Sequence, residues 1–142
     1  MTFKRLKNLL FLNLAKLPMP GSFRAKVLRG GGVSIPDTTG CFIGERVTVD
    51  SNYPELIQIE KGVYITVGCV LLAHFKKIGC KGFYKGNVTI KENAFLGAYC
   101  IITKPVIIGA NSIVGAGSVI TKDIPDNEIW AGVPARFIKK NN

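Results

Sequence analysis

The stretch Ile90-Lys-Glu-Asn-Ala-Phe, Leu96-Gly-Ala-Tyr-Cys-Ile, Ile102-Thr-Lys-Pro-Val-Ile, Ile108-Gly-Ala-Asn-Ser-Ile, Val114-Gly-Ala-Gly-Ser-Val, Ile120-Thr-Lys-Asp-Ile-Pro decides the fold of this chain. Each hexad opens with a branched aliphatic residue. A mostly small residue stands four places later: Ala94, Cys100, Val106, Ser112, Ser118 and Ile124. Neither the helix period of about 3.6 nor the strand period of about 2 produces this pattern. A six-residue repeat is typical of a parallel β-helix, in which equivalent residues stack about 4.8 Å apart.

Looser hexads continue toward the N-terminus. They start at Ile43, Val49, Ile59, Ile65 and Leu71, with a break in register at Tyr53-Pro54. We expect the β-helix to begin between Val33 and Ile43. After Leu71 the next aliphatic residue is due at position 77, which is a lysine, and the pattern returns only at Ile90. Residues 75–87 are therefore predicted to form a loop outside the coil, and loops on rigid scaffolds often carry function.

Glycine follows the opening aliphatic residue at Gly97, Gly109 and Gly115. We expect these glycines to meet the backbone demands of tight corners.

The hexads resemble those of the hexapeptide-repeat acyltransferases. The ending from Ile108 to Asn127, followed by Ala131-Gly-Val-Pro-Ala-Arg, is similar to the closing segment of the maltose and galactoside O-acetyltransferase group. The resemblance implies an all-β fold, a left-handed parallel β-helix, although the general preference for right-handed crossovers would predict the opposite hand. We expect a basic helical segment at residues 1–32, the β-helix at 33–130 and a C-terminal tail at 131–142.

The net charge of +10 is unevenly distributed. Residues 1–36 contain seven basic residues and no acid, so this segment could meet phosphate groups. No RNA-binding or DNA-reading motif accompanies the charge, and nucleic acid is not an expected partner. The four cysteines show no CxxC spacing. They could form disulfides, but no export signal is recognised, and a reduced cytoplasmic compartment is the simpler expectation.

Residues 3–17 are predicted to form a helix that stops before Pro18, and residues 22–29 a second one with Ser22 as a possible N-cap. The apolar run from Leu9 to Leu12 is too short to span a bilayer. Two interpretations of residues 1–17 remain. The helix packs on the β-helix or a neighbouring subunit, or it lies as a basic amphipathic helix on the inner membrane face.

His74 is the only histidine and stands just before the predicted loop. A lone histidine is more often structural, but the resemblance places the family's catalytic histidine here, in Leu71-Leu72-Ala73-His74-Phe75. It implies direct transfer of acetyl from acetyl-CoA to a sugar hydroxyl, with His74 as general base. Ser112 and Ser118 have no second histidine to activate them as nucleophiles. No carboxylate lies nearby in sequence, so a backbone carbonyl or a neighbouring subunit could orient His74.

The resemblance also assigns residues to the co-substrate acetyl-CoA, in a groove between two subunits of a homotrimer. These residues are Ala98, Ala116, Thr121, Lys122, Arg136 and Lys139. Lys139 stands where the galactoside enzyme has an arginine, which keeps the charge without the bidentate geometry. The alternative for the charged members of this set is ordinary solvated surface.

The acceptor is the least visible partner. Asp50 and Asn52 fall in a region that binds sugar hydroxyls in relatives, yet either could be a turn former. Phe83, Tyr84 and Lys85 on the predicted loop offer sugar-stacking surfaces and a charge, or a loop without a role. The resemblance favours a glycan acceptor of surface-polysaccharide, O-antigen or capsule assembly.

Three other functions compete with acetyl transfer to a sugar hydroxyl. Some β-helix proteins are zinc enzymes with three histidine ligands, and one histidine excludes that class, so no metal is expected. N-acetylation of a nucleotide-linked amino sugar is disfavoured because such relatives often carry an extra N-terminal domain. A non-catalytic β-helix scaffold stays open, and failure to bind acetyl-CoA would favour it.

Overall fold

Two helices precede the repeats in the computed structural model, which describes all 142 residues. Helix α1 spans Phe3–Leu14, and helix α2 spans Gly21–Gly30. The Thr2 hydroxyl caps α1 by accepting a hydrogen bond from the Arg5 backbone N–H at 3.3 Å. Both helices pack over the open N-terminal end of the coils, since Leu12, Ala25 and Leu28 belong to the buried core.

The predicted helix bounds need two corrections. Helix α1 ends at Leu14, three residues before the predicted position 17, because the next N–H groups close turns on the carbonyls of Asn13 and Leu14. Helix α2 begins after Pro20, and no side chain caps it. Ser22 lies inside its first turn, so the predicted N-cap is wrong.

The remainder consists of short strands and one turn of 3-10 helix at Pro54–Leu56. The strands are β1 (Phe42–Ile43), β2 (Thr48–Val49), β3 (Ile57–Ile59), β4 (Tyr64–Ile65), β5 (Val70–Leu71), β6 (His74–Phe75), β7 (Tyr84–Lys85), β8 (Val88–Ile90), β9 (Phe95–Leu96), β10 (Ile101–Ile102), β11 (Ile107–Ile108), β12 (Ile113–Val114), β13 (Val119–Ile120), β14 (Glu128–Gly132) and β15 (Ala135–Lys140).

These strands form the three faces of a left-handed parallel β-helix, as predicted. The first face contains β3, β8 and β11, and the second contains β1, β4, β9, β12 and β14. The third face contains β2, β5, β10 and β13. Pairing is parallel within each face, and Ile102 lies beside Leu71 on one side and Ile120 on the other. Each regular coil therefore advances by three hexads, one on each face.

The aliphatic residue that opens each hexad points into the coil, which confirms the prediction that these residues form the core of a β-helix. Six such side chains stack in the core with no exposed surface: Ile90, Leu96, Ile102, Ile108, Val114 and Ile120. The residues four places later are buried as well. At two of these corners a serine hydroxyl donates to a backbone carbonyl, Ser112 to Gly109 and Ser118 to Gly115, each at 2.6 Å. Both serines thus have a structural partner.

Glycine is required after the aliphatic residues for a different reason from the predicted one. Gly97 and Gly109 do not have positive φ angles. A Cβ atom on Gly97 would stand 2.5 Å from the backbone nitrogen of Ala116, and one on Gly109 would stand 2.4 Å from that of Asp126. Close approach of the neighbouring coil therefore excludes a side chain at these positions. The left-handed corner residues come later in the hexad, for example Asn93 with φ 57°.

Two hairpins interrupt this regularity. Strands β6 and β7 pair antiparallel, with His74 opposite Lys85, and project from the coil; we call residues 74–85 the hairpin arm. It contains most of the predicted loop at residues 75–87. At the far end β14 and β15 pair antiparallel, so the predicted tail at residues 131–142 lies in a hairpin. Lys140 and Trp130 both donate to the Glu128 carboxylate, at 2.6 and 2.8 Å.

None of the helices has the length and apolar content that a bilayer-crossing segment requires.

Candidate active site

His74 lies where the rigid coil meets the hairpin arm. The chain leaves the third face after β5, and the Ala73 carbonyl accepts a hydrogen bond from the Gly86 N–H at 2.9 Å. This bond closes the base of the arm. The His74 side chain is 28% exposed, so one edge of the ring reaches solvent while the other is held by the protein.

The group that holds His74 is Asp50. Its backbone N–H donates to the Leu71 carbonyl at 2.9 Å, which places it on the coil adjacent to His74. The Asp50 side chain has no exposed surface, and its Oδ2 atom is hydrogen-bonded to His74 Nδ1. Oδ2 also accepts from the Ala73 N–H at 3.0 Å. Oδ1 accepts from the N–H groups of Asn52 and Tyr53, at 3.0 and 3.2 Å.

This geometry answers the open question of what orients the histidine. Asp50 was assigned to the acceptor on sequence grounds, but its carboxylate is enclosed by four protein donors and faces His74 instead. A carboxylate can only accept hydrogen bonds, so Nδ1 of His74 must carry the hydrogen. In the neutral ring the lone pair is then on Nε2. No protein group hydrogen-bonds Nε2, and this atom is free to accept a proton from a ligand.

Asp50 stays ionised in this environment. Burial alone would raise the pKa of its carboxyl, but the hydrogen bonds from His74, Ala73, Asn52 and Tyr53 outweigh burial and hold the pKa below its usual value. Its fixed negative charge therefore faces the Nδ1 side of the His74 ring.

Two aromatic rings flank the imidazole. The rings of Tyr53 and Phe83 each meet His74 edge to face, with centroids 5.8 Å away. Lys85 lies opposite His74 in the hairpin arm, and its Nζ atom sits 4.8 Å from the centre of the Tyr53 ring. Of the residues predicted for the acceptor, Phe83 and Lys85 are therefore brought to His74.

The other two acceptor residues lie elsewhere. Tyr84 points to the opposite side of the hairpin arm, where its ring stacks with Phe75 at 6.0 Å, because side chains alternate along a strand. Asn52 is exposed, and its Oδ1 atom accepts a hydrogen bond from the Arg5 guanidinium on α1 at 3.3 Å.

A groove of about 400 Å³ opens beside His74. Its walls come from the hairpin arm and from the corner that follows β10, and they are formed by Leu72, His74, Phe75, Lys76, Phe83, Thr103 and Lys104. An acceptor hydroxyl in this groove would lie within reach of the imidazole.

The residues predicted to bind CoA separate into three places in the single chain. Ala98 and Ala116 follow β9 and β12, at the corner between the second and third faces, and the Gly117 N–H donates to the Ala98 carbonyl at 2.7 Å. Thr121 and Lys122 follow β13 at the other edge of the third face. Arg136 and Lys139 are exposed on β15. One chain does not bring Ala98 and Ala116 to His74, and these assignments stay predictions.

Sequence reasoning missed Asp50 as the partner of His74, and it missed Tyr53, Thr103 and Lys104 at the site. A signal for Asp50 was available. Val49 pairs with Leu71, so the residues that follow them share one corner of the coil. The irregular turn at Pro54–Leu56 lengthens that coil and concealed this relation.

Comparison with known proteins points to the same repeat and fold. The profile of a family described as bacterial transferase hexapeptide (six repeats) matches residues 87–122. Galactoside O-acetyltransferase of Lactococcus lactis is 34% identical over 110 residues, which cover 78% of this chain and 48% of that protein. The enzyme of the same name from Escherichia coli K12 is 48% identical over 59 residues, 42% of this chain and 29% of that one. The chain thus spans about half the length, or less, of these curated relatives.

Among solved structures, a galactoside acetyltransferase in complex with coenzyme A superposes with a TM-score of 0.68 and 26% identity. The match covers 98% of this chain and 81% of the other. Repeat, coil and superposition together define a hexapeptide-repeat β-helix. The chain contains the hexapeptide repeat of bacterial transferases and resembles the galactoside O-acetyltransferases in sequence and fold.

Proposed function

We propose that this protein transfers an acetyl group from acetyl-CoA to a sugar hydroxyl, with His74 as the general base. The observation that carries the proposal is the His74–Asp50 pair. It leaves the lone pair of Nε2 free at a groove lined by Phe83, Thr103 and Lys104.

The proposed reaction is a direct transfer. The acceptor hydroxyl attacks the thioester carbonyl carbon while Nε2 of His74 takes its proton, because a neutral hydroxyl is a poor nucleophile. The tetrahedral intermediate then collapses, the carbon–sulfur bond breaks, and the proton passes from Nε2 to the departing CoA sulfur. Asp50 stabilises the imidazolium between these steps. The thioester is already activated, so no covalent intermediate on the protein is required.

The relatives support acetyl-CoA as the donor, since two curated proteins are galactoside O-acetyltransferases and one solved neighbour contains coenzyme A. In the proposed complex the pantetheine arm lies along Ala98 and Ala116. Thr121 and Lys122 meet the arm, and Arg136 and Lys139 meet the nucleotide phosphates. Phe83 and Lys85 contact the acceptor at His74, and Asn52 and Tyr84 would contact a larger glycan farther away.

We also propose a homotrimer, the assembly that the family resemblance implies, and the same assignments support a site shared between subunits. Ala98 and Ala116 lie at the edge of the third face opposite the edge that leads to His74, so one CoA molecule would touch both sets only between two subunits. Light scattering is expected to give the mass of three chains. A monomer that turns over acetyl-CoA would contradict the shared site.

We place the protein in the cytoplasm, at the inner face of the membrane, where acceptors for surface-polysaccharide assembly are made. Phe3, Leu6 and Leu10 form an exposed apolar stripe on α1, and this segment contains no acidic residue. Deleting residues 1–17 would remove carbonyls that Arg24 binds, so substitution is the cleaner test.

Leu6→Gln with Leu10→Gln is expected to reduce binding to vesicles that contain phosphatidylglycerol, while Ile78→Gln, at a fully exposed position, should not. Equal binding by both variants would remove the membrane proposal and favour the packing role of α1.

The activity itself is tested by incubating the protein with labelled acetyl-CoA and a panel of free, nucleotide-linked and lipid-linked sugars. Mass spectrometry should find an added acetyl group on a sugar hydroxyl in wild type and not in His74→Ala. If acetyl-CoA fails to bind, the β-helix is a scaffold and the proposal is wrong.

A further inference from the structure

A second groove borders the hairpin arm. It measures about 740 Å³ and shares three wall residues with the groove beside His74: Phe75, Lys76 and Lys104. Its other walls are Lys77, Ile78, Tyr84 and Pro105, and Tyr84 lies on the side of the arm away from His74. We call the two neighbouring grooves together the arm cleft. Lys76 and Lys104 are the lysines that border both.

The arm cleft is positively charged. Lys76, Lys77 and Lys104 are exposed, and none forms an ion pair or a side-chain hydrogen bond within the chain. No acidic residue lines either groove, and none occurs in sequence between Glu60 and Glu92. The side chains that line the cleft are therefore basic, and the nearby carboxylate of Asp50 is buried behind His74 and already accepts four hydrogen bonds.

The acidic residue Asp123 lies close to the arm cleft but does not line it. Asp123 lies beyond Pro105 in a separate groove, and its Oδ1 atom accepts a hydrogen bond from the Ile107 N–H at 2.8 Å. Its carboxylate is held by backbone and is not a wall of the arm cleft.

The side chains that line the arm cleft also restrict which ligands fit it. Phe75 and Tyr84 stack at 28° along one side, and Phe83 lies next to His74, so apolar ring surface alternates with lysine. A neutral sugar could accept hydrogen bonds from the three ammonium groups but would leave their charge uncompensated. A single carboxylate would neutralise only one of them, whereas a phosphate or diphosphate can meet two or three, and lysine binds such groups as a point charge.

From these contacts we propose that the acceptor is a sugar phosphate or sugar diphosphate, whose sugar lies at His74 and whose phosphate binds Lys76 and Lys104, the two lysines that border the groove at His74. The inference rests on the proposed acetyl transfer at His74 and names its substrate class. Such a phosphate occurs on nucleotide-linked and on lipid-linked sugars, and the lysines recognise the part that both share.

The test measures binding rather than turnover. Inorganic diphosphate is titrated calorimetrically into protein saturated with CoA, so that the nucleotide site is already filled. The double variant Lys76→Gln with Lys104→Gln is expected to bind at least about tenfold more weakly, since each charged hydrogen bond contributes that order of affinity. Raising the salt concentration should weaken wild-type binding in the same direction.

The matched control removes the same two charges elsewhere. Lys61 is exposed and Lys91 is half-buried, and they form ion pairs with Glu92 and Asp126, away from the cleft. Lys61→Gln with Lys91→Gln should bind diphosphate within about twofold of wild type if the site is local, because only long-range charge is lost. Melting curves and light scattering confirm that both double variants are folded and assembled.

Two further probes distinguish the source of the phosphate. Uridine diphosphate represents nucleotide-linked acceptors, and polyprenyl diphosphate in phosphatidylcholine vesicles represents lipid-linked ones. Lysine-dependent binding of either supports the inference and identifies the source. Equal loss in the control variant, or no lysine-dependent binding of any probe, overturns it. Acetylation of a neutral sugar at the wild-type rate by the lysine variant would then leave the proposed function intact.

Discussion

Replacing Asp50 by asparagine tests how the site is organised, because the change keeps the size of the side chain and removes its charge. The amide oxygen can still accept from the N–H groups of Asn52 and Tyr53. The amide nitrogen then faces the Ala73 N–H, which loses its acceptor. An unsatisfied buried N–H costs about 1–3 kcal/mol, and exchanging the charged bond to His74 for a neutral one costs about 1 kcal/mol more. We expect the free energy of unfolding to fall by about 2–4 kcal/mol.

The same variant should inactivate the histidine. The asparagine amide donates to Nδ1, so the ring hydrogen moves to Nε2 and that atom can no longer accept a proton. Turnover is expected to fall by about 10²- to 10⁴-fold, the usual effect of losing a general base, while affinity for acetyl-CoA stays unchanged. Urea unfolding and steady-state acetyl transfer measure the two effects.

Asp37 provides the matched control. Its exposed carboxylate accepts a hydrogen bond from the Thr39 N–H at 2.9 Å, which an asparagine oxygen can replace. Asp37→Asn should therefore leave turnover unchanged and alter stability little. If Asp50→Asn retains wild-type turnover, or is as stable as Asp37→Asn, the assigned role of Asp50 is wrong.

Lowering the pH should remove the contribution of the Asp50 carboxylate to the free energy of unfolding. The pKa of Asp50 is lowered in the folded protein, with burial opposing the shift and the hydrogen bonds from His74 and the backbone producing it. Its stabilisation is fully present above the unfolded value of about 4 and is lost as the pH falls through the folded pKa. The stability difference between wild type and Asp50→Asn should narrow below about pH 4. A difference that stays constant down to pH 2 would contradict this reasoning.

Two stability predictions concern the scaffold. Arg24 is 3% exposed and donates to the carbonyls of Ala15, Leu17, Met19 and Ile43. Arg24→Leu leaves these acceptors unpaired and should cost about 3 kcal/mol or more in urea unfolding, and a variant of wild-type stability would refute the role of this clamp. Gly97→Ala places a Cβ atom 2.5 Å from the Ala116 backbone nitrogen and should cost about 3 kcal/mol, the upper end of the usual range for overpacking, because backbone atoms cannot turn aside as a side chain can. Gly117→Ala enters open space at φ 70° and should cost only about 1–2 kcal/mol, so equal losses would contradict the argument from close approach.

The six-residue period predicted the β-helix well because each inward aliphatic residue depends only on its own hexad and on the neighbouring coil. Gly97 was assigned correctly as a constraint but for the wrong reason, since the approach of the next coil is a tertiary contact. The end of α1 and the cap of α2 depend on how the helices dock over the coil, which no local pattern contains.

The sequence predicted His74 at the candidate site but not its partner Asp50, for a similar reason. His74 stood out as the last residue before the repeat fails, and a family resemblance supplied its chemistry. Asp50 was not paired with it, because the turn at Pro54–Leu56 changes the length of that coil and obscures which residues share a corner. The residues assigned to CoA stay predictions, since they converge only if a second subunit completes the groove.

In the proposed mechanism, His74 removes the proton from a sugar hydroxyl during acetyl transfer. The most direct measurement is the single-turnover rate of transfer to a verified acceptor, at saturating acetyl-CoA, in wild type and in His74→Asn. Asparagine approximates the size and polarity of the imidazole but cannot accept a proton, so the rate should fall by about 10²- to 10⁴-fold while fold, assembly and acetyl-CoA affinity stay unchanged. If His74→Asn transfers acetyl within a fewfold of wild type, the histidine is structural and the proposed mechanism is wrong.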